Sequence, residues 1–134
     1  MLLIDTCIWS LALRRNPAVL SKSDQALVTT LTEAIREGRA AIIGPVRQEI
    51  LSGIKDRAQF EKLRRTLRSF PDEPLTSDDF EQAASLFNFC RSHGVQCGAT
   101  DILICAVAIR ARWQVLSNDE ALLRSMALLR KQGL

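Results

Sequence analysis

The apolar positions of this chain fall into two rhythms. Short unbroken runs, Leu2 to Ile4, "AAII" at 40–43 and "WQVLS" at 113–117, are too brief for helices and read as buried strands. Between them apolar residues recur at helical spacing. Thr6 is a candidate cap for the helix "CIWSLALRR", which Asn16-Pro17 ends. Ser21 or Ser23 caps "SKSDQALVTTLTEAIREG", whose Ala26, Leu27, Leu31, Ala34 and Ile35 mark one apolar face and whose Gly38 closes it. Gly44-Pro45 opens a helix running to Gly53, with proline in the first turn where its missing N–H is not needed.

Residues 56–70 predict a basic amphipathic helix that "FPDEPL" breaks, and Leu75 is expected in a short strand. Thr76 or Ser77 then caps "DDFEQAASLFNFCRSHG", with acids in the first turn as the helix dipole prefers. "ATDILICAVAIRAR" is apolar on nearly every face between Ile102 and Ile109, the pattern of a helix in the centre of a domain. "NDEALLRSMALLRKQGL" starts as a final helix. Strands alternating with helices predict an α/β fold with a mostly parallel central sheet flanked by helices.

Composition narrows this picture. With 134 residues and 47% hydrophobic content, residues 1–134 are expected to form one domain with a core of its own. No apolar run approaches the roughly 18 residues of a membrane span, and the N-terminus has no basic region leading to a cleavable apolar stretch, so a cytoplasmic protein is expected. The four cysteines (Cys7, Cys90, Cys97, Cys105) make no CxxC spacing and read as small buried hydrophobes. The single histidine, His93, sits at a helix end, where an imidazolium suits the dipole. Histidine-based catalysis and a histidine-rich zinc site are therefore excluded from the working readings.

The acidic residues carry the chemistry. In a parallel sheet with right-handed crossovers, strand C-termini and the first turns of the following helices share one edge, where ligands bind. Asp5 ends the first strand, Glu49 lies early in the helix after "AAII", Asp101 opens the apolar helix, and Asp119 follows "WQVLS". Each alone reads as a cap or a solvated helix residue. Together they place like charges on one edge, which repel unless a cation neutralises them. Carboxylates without His or Cys suit Mg²⁺, with Mn²⁺ as a substitute, and hence phosphoryl chemistry.

These residues and their order resemble the PIN domain family, and within it the VapC-type toxin ribonucleases of toxin–antitoxin systems. "LLIDTCIWS" is similar to the opening strand with its Asp and following Thr or Ser, and "IIGPVRQEILSG" to the second acidic motif. "GATDILICAVAIRARWQVLSND" is similar to the third and fourth motifs, with Ser117 where threonine is commoner. The resemblance spans nearly the whole chain and implies a three-layer PIN-like fold. It also implies that Asp5 and Asp101 are the principal metal ligands, with Glu49 and Asp119 in support and Thr6 orienting Asp5. The implied activity is that of a Mg²⁺-dependent endoribonuclease, whose metal-activated water hydrolyses RNA phosphodiesters. The implied partners are a cognate VapB-like antitoxin covering the acidic edge and a second copy of the chain in a homodimer.

Charge distribution bears on the RNA. The formal charge is +3; setting aside the four proposed site acids leaves 11 of 15 acids against 18 basic residues, an excess of +7. Arg47, Lys55, Arg57, Arg64 and Arg65, with Lys62 and Arg68, are candidates for phosphate contact or for a solvated helix face. Trp9 and Trp113 read as core or interface packing before base stacking. The apolar side of "CIWSLALRR" and the segment Leu51 to Phe60 are candidates to line an antitoxin groove. Two other readings compete: a non-catalytic PIN-like RNA- or protein-binding module, and a small phosphatase or receiver-like domain with Asp5 as phosphoacceptor, although the Lys a receiver needs has no place here.

Overall fold

The computed structural model describes residues 1–134. β1 (Leu2–Ile4) is entirely buried and forms the centre of a three-stranded sheet of order β2-β1-β3. β2 is Ala40–Ala41 and β3 is Gln114–Leu116; both pair with β1 in parallel, Leu3 standing opposite Ala41 on one side and Val115 on the other. The central strand is flanked on both edges, which is why "LLI" is continuously apolar, whereas the edge strand β3 starts with the exposed Gln114 and is only half-buried beyond it.

After β1 come α1 (Thr6–Arg14), a 3₁₀ turn at Pro17–Val19 and α2 (Lys22–Arg36), which Ser21 caps through its hydroxyl. Gly38, at φ 69°, makes the left-handed exit that feeds β2. The chain then passes through α3 (Gly44–Leu51), α4 (Arg57–Leu67), α5 (Ser77–Ser92) and α6 (Ala99–Ala111) before β3 and α7 (Glu120–Lys131). The step from β1 to β2 and the step from β2 past β1 to β3 run in opposite directions along the sheet. Right-handed crossovers therefore put their helices on opposite faces. α1 packs on α2, and α6 packs on α5 and α7, giving the three-layer α/β arrangement; α3, although it follows β2, stays beside α1. α6 is buried at every residue from Ile102 to Ala108, as its uniform apolarity predicts.

Three local expectations are corrected. Asp5, not Thr6, is the N-cap of α1; Thr6 is already helical. Leu75 is not in a strand. The segment before it instead makes an isolated parallel bridge between Asp72 and Ile42, with the Glu73 amide donating to the Ile42 carbonyl at 2.9 Å, because that register covers the open edge of β2. Finally, the apolar face of α1 is not left open for a partner: Ile8, Trp9 and Leu11 are in the core, and Trp9 meets Phe70 edge to face at 5.0 Å. A fully buried Trp9 also has no face to stack on a base. No helix is long and apolar enough to cross a membrane.

Candidate metal centre

The strand order creates a switch point between β1 and β3, where the chains leaving the two strands turn to opposite faces of the sheet and open a crevice. A cleft of about 730 Å³ lies there, lined by Asp5, Thr6, Cys7, Pro45, Gln48, Glu49, Ser52, Thr100, Asp101 and Asp119. The four acids singled out from the sequence, which come from four separate elements or their caps, are thus brought into one cleft.

Each acid is held differently. Asp5 is only 4% exposed, yet no cationic side chain pairs with it. Its Oδ1 accepts the Thr6 amide at 2.7 Å, and its Oδ2 accepts the Ser117 hydroxyl at 2.7 Å and the Cys7 thiol at 3.4 Å. The backbone ladder continues onto Asp5, whose amide donates to the Leu116 carbonyl at 3.0 Å, so its position is set by the sheet itself. Glu49 is exposed on α3, and its Oε1 accepts the Thr6 hydroxyl at 2.7 Å. Asp101 accepts the Gly98 amide only at 3.4 Å. Asp119 caps α7 by accepting the Leu122 amide at 2.9 Å, while its own amide donates to the Ser117 hydroxyl at 3.0 Å.

Electrostatic strain falls on Asp101. Burial, then the charges of Asp5, Asp119 and Glu49, push its carboxyl up to about 6, with the Gly98 amide opposing them. None of the four acids takes part in an ion pair. Oxygen-only donors with uncompensated negative charge fit a hard divalent cation. No group of three acidic, His or Cys side chains is drawn tightly enough to hold an ion with protein atoms alone.

Thr6 does hydrogen-bond Asp5, through its backbone amide at 2.7 Å, while its hydroxyl reaches α3 and holds Glu49 and the buried Ser117 supplies the hydroxyl on Asp5. One assignment changes. Cys7, expected as a buried hydrophobe, is half-buried in the cleft, and burial raises its thiol. The signal for Ser117 was present as a hydroxyl two residues before Asp119, but its partner lies 112 residues away in sequence.

Among the basic candidates Arg47 drops out. Its Nε meets Asp72 at 3.0 Å, and its other nitrogens donate to the carbonyls of Leu67, at 2.9 Å, and Phe70, so it ties α3 to the end of α4. Arg64 pairs with Glu61 at 2.8 Å, and Arg65 donates to the Glu61 carbonyl. Lys55 and Arg57 are exposed and make no ion pair. Lys55 is three residues beyond Ser52 of the cleft wall, within about 11 Å along the chain.

The sequence matches the family model of the PIN domain over residues 2–127. The fold is similar to that in the crystal structure of FitAcB from Neisseria gonorrhoeae, with a TM-score of 0.71 at 19% identity, covering 95% of this chain and 94% of that one. A comparison with curated protein sequences found no match.

Proposed function

The chain belongs to the PIN domain family, whose members are generally nucleases, and on that premise we propose that it is a metal-dependent endoribonuclease, the toxin of a VapBC-type toxin–antitoxin pair. The observation that carries the reading is the convergence of Asp5, Glu49, Asp101 and Asp119 on one cleft without a single cationic partner. Asp5 and Asp101 are the principal residues to hold Mg²⁺ or Mn²⁺, and Glu49 and Asp119 support it directly or through water. Bound there, such an ion would supply Lewis acidity toward a phosphodiester oxygen and would ease the loss of a proton from the attacking water.

The protein's own part is positioning. Asp5 is anchored by sheet and hydroxyl, so its carboxylate keeps one orientation through binding and release. Thr6 fixes Glu49 through Oε1 and leaves Oε2 without a partner, available to take a proton from the attacking water. Lys55, three residues from the cleft wall, and the exposed Arg57 at the start of α4 suit the phosphates of the flanking RNA strand. A VapB-like antitoxin over the acidic edge and a homodimer complete the reading, supported by the resemblance of the four ordered motifs to the toxin group.

The test is cleavage of RNA in Mg²⁺ by the unaltered chain and by Asp5→Asn and Asp101→Asn. Each substitution is expected to lower the rate by at least about 100-fold, since each removes a ligand charge while keeping the side-chain shape. Undiminished cleavage by either variant, or equal cleavage after chelation of divalent ions, overturns the mechanism. Tight RNA binding without cleavage would instead favour the non-catalytic module.

A further inference from the structure

The hydrogen bonds of Asp5 involve a residue outside the acidic cluster, Ser117. A carboxylate oxygen offers two lone pairs. On Asp5, Oδ2 is filled by the Ser117 hydroxyl at 2.7 Å and the Cys7 thiol at 3.4 Å, while Oδ1, taking only the Thr6 amide, keeps one lone pair open. The Ser117 proton is committed, because an ionised carboxylate can only accept. Its oxygen in turn accepts the Asp119 amide at 3.0 Å. One hydroxyl therefore joins the residue ending β1 to the residue capping α7, and at 8% exposure it does so with little competition from water.

We infer that Ser117 is a positioning residue that turns Asp5 so that a single Oδ1 lone pair is left for a divalent cation, and that holds Asp119 in register with it, Cys7 being the second and weaker donor. The inference rests on the metal-nuclease reading. Cys7 contributes less because a thiol is a weak donor at a longer distance.

Mn²⁺ binding to the intact chain, measured by calorimetry without RNA and with thermal melting alongside, tests it. Ser117→Ala is expected to weaken Mn²⁺ binding by about 10–100-fold, Ser117→Thr to return it to within about threefold of the unaltered chain, and Cys7→Ala to weaken it only about two- to fivefold. A packing role alone would lower the melting temperature of Ser117→Ala and leave Mn²⁺ binding by the folded chain unchanged. Unchanged binding by Ser117→Ala, or a Ser117→Thr variant as weak as the alanine, overturns the positioning role while leaving the metal reading standing. An unaltered chain that binds no Mn²⁺ overturns both. Should Ser117→Ala melt below the assay temperature, Ser117→Cys, which keeps the side-chain shape but weakens the donor, takes its place: Mn²⁺ binding weakened at least about fivefold supports the assignment, and unchanged binding overturns it.

Discussion

Asp79 and Asp101 occupy the same place in their helices, the third residue of α5 and of α6, and each accepts an amide from three residues back, Thr76 at 3.0 Å and Gly98 at 3.4 Å. They nonetheless titrate in opposite directions. For Asp79 burial works against the charged form, but the Thr76 amide and Arg110, whose Nε is 2.6 Å away, outweigh it and hold the carboxyl below its ordinary value. Arg110 also reaches Glu73 at 3.3 Å, so that cluster carries its own counter-charge. For Asp101 burial and three neighbouring carboxylates act together, and nothing basic answers them. One helix start is neutralised within the fold; the other is left for something the chain does not itself contain.

The contrast can be broken first at Arg110. Removing it with Arg110→Ala leaves Asp79 buried beside Glu73 with no cation, which is expected to lower unfolding stability by about 2 kcal/mol, below the range for fully buried pairs because Arg110 is 42% exposed. Urea melts measure this, and RNA cleavage well below the melting point should be unchanged. A loss of cleavage without loss of stability would place Arg110 in the site instead.

Asp101 sharpens the contrast through pH. With its carboxyl raised from an ordinary 3.8 to about 6, the folded chain binds more protons than the unfolded one between those values, so metal-free stability falls as pH rises through that window. Asp79 has the opposite sign: its depressed carboxyl stabilises the fold above its ordinary value and loses that contribution as pH falls through the folded one. Asp101→Asn is therefore expected to raise the metal-free melting temperature at pH 7 by about 3–5 °C, on the order of 1 kcal/mol once solvent screening is allowed for. Scanning calorimetry from pH 4 to 8 checks the slope, and added Mn²⁺ should reverse the ranking of the two proteins.

The smallest effect concerns the basic residues, which divide in the same way into paired and unpaired. Arg57→Ala is expected to weaken RNA binding about threefold and reduce the slope of log affinity against log salt by about 1. Filter binding at several salt concentrations measures both. Arg47→Ala, by contrast, should move the melting temperature and leave that slope unchanged, because Arg47 is tied to Asp72 and to the end of α4.

The alternation of strands and helices was legible because hydrophobic periodicity is a local property: α6, apolar on all sides, lies where its pattern puts it, and β1 is the buried strand that "LLI" predicts. The edge acids were legible for a related reason, since parallel topology sends every strand end and following helix start to one side. What escaped the reading was who pairs with whom. Leu75 looks like strand material, yet Asp72 takes the bridge to Ile42, and Arg47 looks like one more member of a basic run, yet α4 supplies carbonyls for it.

By itself, then, the sequence determined the element order, the parallel α/β architecture and the set of carboxylates available at one sheet edge, because spacing, caps and apolar runs act over a few residues. Only the tertiary structure decided that Ser117, and not Thr6, supplies the side-chain hydroxyl that steadies Asp5, that Thr6 serves Glu49, and that Asp101 bears the repulsion while Asp79 is relieved of it. Those outcomes depend on side chains tens of residues apart meeting within about 3 Å, where hydrogen bonding and charge operate and local pattern carries no information.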